Sequence, residues 1–401
     1  MRKIVVIGAG QAGASLAVRL RSLGHDGSIT LIGEEPVAPY QRPPLSKKYL
    51  LGEMTLERLY LRPESYYRES DIELRTSSAV VSIDRAGKRI SVGSREVSYD
   101  CLALCTGAVP RGLPRSIGGA LPGVHTVRSL ADVDAMAPAF VEGARALIVG
   151  GGYIGLEAAA VAATSGMRVT LIEAAERILQ RVAAQETSSY FRALHETHGV
   201  DIRERVSLER LTGEGRVTGA VLSDGAELKV DVVIVGIGVT PSTELAESAG
   251  LEIENGVWTD IQGRTSDPSI WAAGDCASFP YKGTRIRLES VQNAIDQAEC
   301  VAANMLGSEE DYVPQPWFWS DQYDCKLQIA GLCTGYRRIV TRGAGHSVSF
   351  WYYADETLLA VDSMNDARAY MIGKRLLEMG KSPDRAVIAN ANVDLKPLLR
   401  G

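Results

Sequence analysis

No stretch of the 401 residues stays apolar for the roughly 18 positions that a membrane span requires. There is no basic block either, and 43 Lys+Arg face 49 Asp+Glu for a net charge of -6. Neither nucleic acid nor a membrane surface is therefore an expected partner. With 45% apolar and 23% charged residues, the composition excludes intrinsic disorder and collagen-like repeats. The six cysteines (Cys101, Cys105, Cys276, Cys300, Cys325, Cys333) contain no C-x-x-C pair. They read as reduced core residues, and no metal site is expected. Cys101 and Cys105 share one face of a strand but sit too far apart to bridge easily. The start, MRKIVVIGAGQAG, offers only four apolar residues (Ile4 to Ile7) before its glycines, too few for a signal peptide. A cytoplasmic protein that begins directly on a strand is expected.

Glycine is abundant, at 40 residues, and its placement organises the chain. KIVVIGAG (from Lys3) and RALIVGGG (from Arg145) each precede an Ala-rich helix, a further glycine and a β-branched strand, about 140 residues apart. Each is a βαβ unit, which builds parallel sheet with a right-handed crossover. A chain of this length divides into two or three domains. Between 78 and 104 the texture changes to short alternating segments (SAVVSIDRAGKRISV, SYDCLALCTG), expected to form an inserted β-meander. A similar strand pair over 216–239 is expected to close the second half, and prolines and glycines punctuate 108–125. From about 313, aromatic residues, alternating strands to 361 and an amphipathic helix near 365–380 indicate a third, smaller α+β domain.

Gly8-x-Gly10-x-x-Gly13 follows its strand and opens its helix, the context that makes this motif specific for a dinucleotide. The first glycine permits the tight turn, the second lets a pyrophosphate approach, and the third lets helix and sheet pack closely. The helix N-terminus adds free N–H groups and positive dipole. Glu34 and Glu35 end the next strand, where a carboxylate meets an adenosine ribose. Gly150-x-Gly152-x-x-Gly155, which encloses Tyr153 and Ile154, repeats the logic with Glu173 ending VTLIE. A carboxylate there binds the ribose 2′-hydroxyl and repels a 2′-phosphate, favouring NADH over NADPH, while Arg177 could soften the preference.

Thr106-Gly107 after a strand, Gly236-x-Gly238 after VVIV, and IWAAGDCA around Gly274-Asp275 complete an ordered set. That set resembles the FAD-dependent pyridine-nucleotide oxidoreductases of the glutathione-reductase structural class. YQRPPLSKKYL (Tyr40 to Leu50), ESVQNAIDQA (Glu289 to Ala298) and PWFWSDQYD (Pro316 to Asp324) narrow the resemblance to the ferredoxin reductases of bacterial oxygenase systems, the putidaredoxin-reductase type. The resemblance implies an α/β fold of two Rossmann-like dinucleotide-binding domains with inserted meanders, plus a C-terminal α+β domain. FAD would occupy 1–110 and 243–312, NAD 111–242, and the last domain 313–401. A redox cysteine pair of the disulfide reductases is replaced here by PYQRPPLSKKY, so disulfide reduction is not expected.

The same resemblance supplies roles. Asp275 would hold the ribityl chain of FAD, and the helix from about 290 would aim its N-terminus near Val291 at the flavin. Arg42, Val80 and Arg128 would contact FAD, together with Ala12. Pro44 would pack near the isoalloxazine. Lys47, paired with Glu157, would stand beside flavin N5. Trp319 would lie at the flavin's exposed edge, with Trp317 and Phe318 in the core. The implied reaction carries a hydride from NADH to FAD, then single electrons to an acidic [2Fe–2S] ferredoxin in a transient complex. That ferredoxin would serve a cytochrome-type monooxygenase. Arg285, Arg287, Arg337, Arg338 and Arg342 are candidates for its docking face. The ferredoxin of an aromatic-ring dioxygenase, rubredoxin, or a redox-regulated role like that of apoptosis-inducing factor stay open as alternatives.

Overall fold

The computed structural model describes residues 2–400. These form two compact units: the residues up to Arg42 with Thr55–Val109 and Val239–Pro314, and Pro43–Met54 with Pro110–Gly238 and the residues from Gln315 on.

The first unit is built on a five-stranded parallel sheet in the order Ile270–Ala272, Cys101–Leu104, Ile4–Ile7, Ile29–Ile32, Ile72–Arg75. Its central strands, IVVI and ITLI, are buried at every residue, as parallel strands covered on both faces must be. One face meets the helices Gln11–Ser22 and Val291–Met305, which pack against each other and bury Leu16, Leu20, Val301 and Met305. The opposite face buries Val5, Ile7, Leu102 and Leu104 against Ile83 and Ile90 of a three-stranded antiparallel layer, Val80–Asp84, Arg89–Val92 and Arg95–Ser98. The expected meander thus stops at Ser98. Cys101–Leu104 runs parallel to Ile4–Ile7 instead, because CLAL no longer alternates and Leu102, Ala103 and Leu104 are all buried.

The second unit repeats the arrangement with a parallel sheet in the order Asp201–Glu204, Arg168–Glu173, Arg145–Val149, Val232–Val235, Val124–Thr126. Leu208–Thr212, Gly219–Leu222 and Glu227–Lys229 form its antiparallel layer. The run VVIV, read as part of a closing pair, belongs to the parallel sheet for the same reason: all four residues are buried. This unit also holds an antiparallel sheet in the order Trp317–Gln322, Cys325–Gly331, Thr357–Met364, Ser347–Ala354, Arg338–Ala344. The amphipathic helix Ala367–Glu378 seals it through Ile372 and Leu376 against Trp351 and Val361. Arg342 ties down the C-terminal segment by donating to the carbonyls of Ile388 (3.1 Å), Asn390 (2.6 Å), Ala391 (3.1 Å) and Val393 (2.7 Å). All six cysteines are free thiols, and among the described residues no helix is long and apolar enough to cross a membrane.

Two buried titratable groups of the second unit oppose each other. Asp362 accepts hydrogen bonds from the Tyr352 hydroxyl and from Thr187 Oγ1 (2.7 Å), and burial raises its pKa to about 6. His195, also buried, has its pKa lowered by desolvation to about 4. Between pH 3.8 and about 6 the folded chain keeps a proton on Asp362 that the unfolded chain has lost, so this group costs stability as pH rises. Between about 4 and 6.5 the unfolded chain binds a proton that folded His195 refuses, so this group adds stability as pH rises. Each effect is worth about 3 kcal/mol in full, and over most of that range they cancel. Thermal denaturation from pH 4 to 7 should therefore show a steeper rise in stability with pH for Asp362→Asn than for the wild type. His195→Gln should flatten or invert the rise. Parallel curves for all three proteins would contradict this account.

Candidate functional site

The two glycine turns are superimposable in their logic. Gly8 and Gly150 have φ of +106° and +107°, and a Cβ on them would lie 2.1 Å from the Cys105 carbonyl and 2.5 Å from that of Gly236. No other residue fits. Gly13 and Gly155 are required by packing, since a Cβ would come within 1.9 Å of the Gly8 carbonyl and 2.0 Å of the Gly150 carbonyl. Gly10 and Gly152 are different. Their backbones (φ -91° and -80°) suit any residue. A Cβ on Gly10 would meet nothing within 4 Å, and one on Gly152 only the Gly236 carbonyl, at 4.0 Å. Nothing in the protein's own packing demands glycine there, so the open space fits a bound pyrophosphate. Neither helix that follows has a side-chain cap, which leaves its first N–H groups available to phosphate oxygens.

The carboxylates that end the second strands are held differently. Glu34 is exposed, whereas Glu35 accepts from Arg42 (2.6 Å) and from the Tyr40 hydroxyl (2.6 Å). Glu173 bends back over its own glycine turn, accepting from the N–H groups of Gly151 (2.7 Å) and Ala175 (2.8 Å). Arg177 does not stand free to read a 2′-phosphate. Its guanidinium donates to the carbonyls of Ala183 (2.9 Å) and Ala184 (3.3 Å) and to Ser188 Oγ.

The remaining motif residues of the first unit gather near its turn. Thr106 donates to the Ser242 carbonyl (2.7 Å), and Gly107 returns the contact by accepting from the Ser242 N–H (3.0 Å). Gly274 lies against Ala12, where a Cβ would meet that of Ala12 at 2.9 Å. Asp275 follows, half-buried, and Ser290 Oγ caps the helix that starts at Val291. Gln297 on that helix accepts from the Gly274 N–H (2.9 Å), but its Nε2 and the Oε1 of Gln292 are buried without a partner. Buried polar atoms are rarely left unpaired, so this end of the helix fits a polar cofactor such as FAD. Val80 packs on the apolar core of the antiparallel layer. In the second unit Gly236 touches the glycine turn, Gly238 accepts from the Arg111 N–H (2.9 Å), and the N–H of Arg128 caps onto Asp132 (3.0 Å). Ile154 is exposed, while the Tyr153 hydroxyl is buried without a partner and burial pushes its pKa far up.

Lys47 and Glu157 form an ion pair of 2.7 Å, with side chains only 16% and 6% exposed. Lys47 sits on the helical turn Leu45–Tyr49, whose N–H of Tyr49 bonds the Pro44 carbonyl (3.0 Å). Glu157 lies on the helix Tyr153–Thr164, among alanines. Its two oxygens also take hydrogen bonds from Ser46 Oγ (2.9 Å) and Ser320 Oγ (2.7 Å). Sequence reasoning gave neither serine a role, although both lie in segments that carry the resemblance (YQRPPLSKKYL and PWFWSDQYD), because they meet Glu157 only through the tertiary fold. Trp319 is half-buried, 5.7 Å from Trp317 between ring centroids. Trp317 and Phe318, expected in the core, are half-buried too. Phe318 packs on Tyr153 (5.0 Å) and Lys374 covers Trp317 (5.0 Å), while the fully buried tryptophan of this sheet is Trp351.

Of the docking candidates, three already serve the fold. Besides Arg342, Arg287 is 9% exposed and bonds Glu289 (2.6 Å), and Arg285 stacks on Trp258 (4.8 Å) and bonds the Thr259 carbonyl (2.8 Å). Arg337 and Arg338 remain exposed.

Residues 2–298 match the family described as pyridine nucleotide-disulphide oxidoreductase, and 317–399 the reductase C-terminal family. Rhodocoxin reductase of Rhodococcus erythropolis is 42% identical over 98% of this chain and 93% of its own length. The ferredoxin reductase for the CYP199A2 system of Rhodopseudomonas palustris matches with a TM-score of 0.96 and 40% identity over 100% of both chains. Putidaredoxin reductase, solved in covalent complex with putidaredoxin, matches with a TM-score of 0.96 and 37% identity over 99% of this chain and 98% of that one. The chain belongs to the pyridine nucleotide-disulphide oxidoreductase family, among its FAD-dependent, putidaredoxin-reductase-like members.

Proposed function

We propose that the protein is an NADH-dependent ferredoxin reductase that supplies single electrons to a [2Fe–2S] ferredoxin, and through it to a cytochrome-type monooxygenase. Bound FAD supplies the chemistry, accepting a hydride and releasing its two electrons singly. The observation that carries the reading is the match, over nearly the full length of both chains, to a reductase solved with its ferredoxin partner.

The chain's own residues bind, orient and set charge. The Gly8–Gly13 turn with Ala12, Thr106, Gly107, Gly274, Asp275 and the helix start at Val291 would hold FAD, and Glu34, Glu35, Arg42, Val80 and Arg128 would add to that grip. We assign 1–110 and 243–312 to this task, 111–242 to NADH and 313–401 to the C-terminal domain. Gly150, Gly152, Tyr153, Ile154, Gly155, Gly236 and Gly238 would line the NADH side. Glu173 would turn from its two N–H partners to the ribose 2′-hydroxyl, and those N–H groups would then need new acceptors. Lys47, with Glu157 as counter-ion, would face the flavin beside Pro44, and Trp319 would cover its open edge. A reductase of this kind works in the cytoplasm, where NADH is generated.

Anaerobic titration of the purified flavoprotein should bleach it at about one NADH per flavin, with NADPH at least about tenfold less efficient. Glu173→Gln should narrow that preference. Equal efficiency of the two nucleotides with wild-type protein would remove Glu173 from the role given to it. Converting Arg337 and Arg338 together to Glu should weaken reduction of an acidic ferredoxin, most at low salt, and leave ferricyanide reduction intact. Rubredoxin reduced faster than any [2Fe–2S] protein would move the acceptor to that class.

A further inference from the structure

Glu157 ends a longer chain of polar side chains, and its direction is forced. A carboxylate can only accept, so the Ser320 hydroxyl donates to Glu157 Oε1 (2.7 Å) and its oxygen must itself accept, from Gln322 Nε2 (3.1 Å). The Gln322 carbonyl oxygen then faces His195 Nε2 (2.7 Å), which must carry the ring proton. His195 Nδ1 is left to accept from the Tyr323 hydroxyl (3.1 Å). Tyr323 stacks flat on exposed His198, with ring centroids 3.6 Å apart. Ser320, Gln322 and His195 are at most 1% exposed.

We infer that Ser320, Gln322 and His195 form a one-way hydrogen-bond chain that fixes the Glu157 carboxylate against Lys47, and so act as positioning residues for that cation. The inference rests on the reading above for what Lys47 serves. Ser320 and Gln322 are two apart on the strand Trp317–Gln322, so both point inward. His195 arrives from the helix Gln185–Thr197. Three adjacent buried polar groups cost desolvation that apolar residues of the same size would avoid, and aligned dipoles ending on a carboxylate give that cost a purpose. The chain does not conduct protons, because the Gln322 amide cannot pass one on without giving up its stable form. It transmits orientation. Burial, which keeps His195 neutral at physiological pH, is consistent with one donor and one acceptor on the ring.

The test uses the FAD-loaded protein as wild type, Ser320→Ala, Ser320→Thr and Gln322→Met. Three quantities are read: the His195 ring ¹⁵N shifts, the reduction potential of the bound flavin, and single-turnover hydride transfer from NADH. Wild-type His195 should carry its proton on Nε2. Ser320→Ala and Gln322→Met should make the flavin potential more negative and slow hydride transfer about tenfold with unchanged NADH affinity. Ser320→Ala should also move the His195 shifts from two links away, and Ser320→Thr should restore all three quantities. A wild-type ring proton on Nδ1 overturns the proposal, and so do unchanged potentials and rates in the two cut variants. A wild-type flavin that NADH does not bleach overturns instead the role given to Lys47, and the ring-proton measurement still decides the chain.

Discussion

A carboxylate as nearly sealed from water as Glu157 must find a donor for each oxygen, or its burial is unaffordable. Its serine partners lie 111 and 163 residues away in sequence, one before its helix and one after it. One side chain's desolvation therefore joins the loop Leu45–Tyr49, the helix Tyr153–Thr164 and the strand Trp317–Gln322 within a single unit. Breaking such a pair from one side would leave an uncompensated charge, far costlier than never having buried it. That asymmetry makes the pair an organising constraint, because every neighbouring segment must arrive in register for it to be met.

Much of the architecture was legible because it rests on local rules. The two βαβ units announce themselves through apolar strands, glycine turns and Ala-rich helices. In both glycine sets the first member is placed by φ angle and the third by packing, while the middle one faces open space. Misreadings arose where short apolar runs carry no period. Cys101–Leu104 and Val232–Val235 looked like members of neighbouring antiparallel layers, and only the burial of consecutive residues in the parallel sheets separates them. Aromatic residues misled in the other direction, since Trp317 and Phe318 stay half-buried while Trp351 fills the core.

The site was legible where its chemistry is local, and opaque where it depends on distant segments. Glu173 lies at the end of its strand, as the spacing implied, and Lys47 does meet Glu157. Ser46, Ser320 and Gln322 lie within the motif segments, yet nothing local ties them to Glu157 or to His195, since only the fold brings these side chains together. Arginines show the converse. Arg177, Arg285, Arg287 and Arg342 looked like groups awaiting a ligand, but the backbone carbonyls and carboxylates around them are their ligands. A guanidinium has five donors, and a folded chain offers it many acceptors before any partner comes near.

The near-identity of the two glycine turns has a consequence for selectivity. A turn with φ near +106° in one unit and +107° in the other presents the same cradle to any pyrophosphate. Neither cradle can tell a flavin nucleotide from a nicotinamide one. The two units differ beyond the turn, where Glu35 is anchored by Arg42 and Tyr40 in one and Glu173 rests on its own loop in the other, and the proposed function puts discrimination there. A phosphate mimic would therefore meet equivalent cradles in both units, whereas a ligand that engages the strand-end carboxylate would tell them apart.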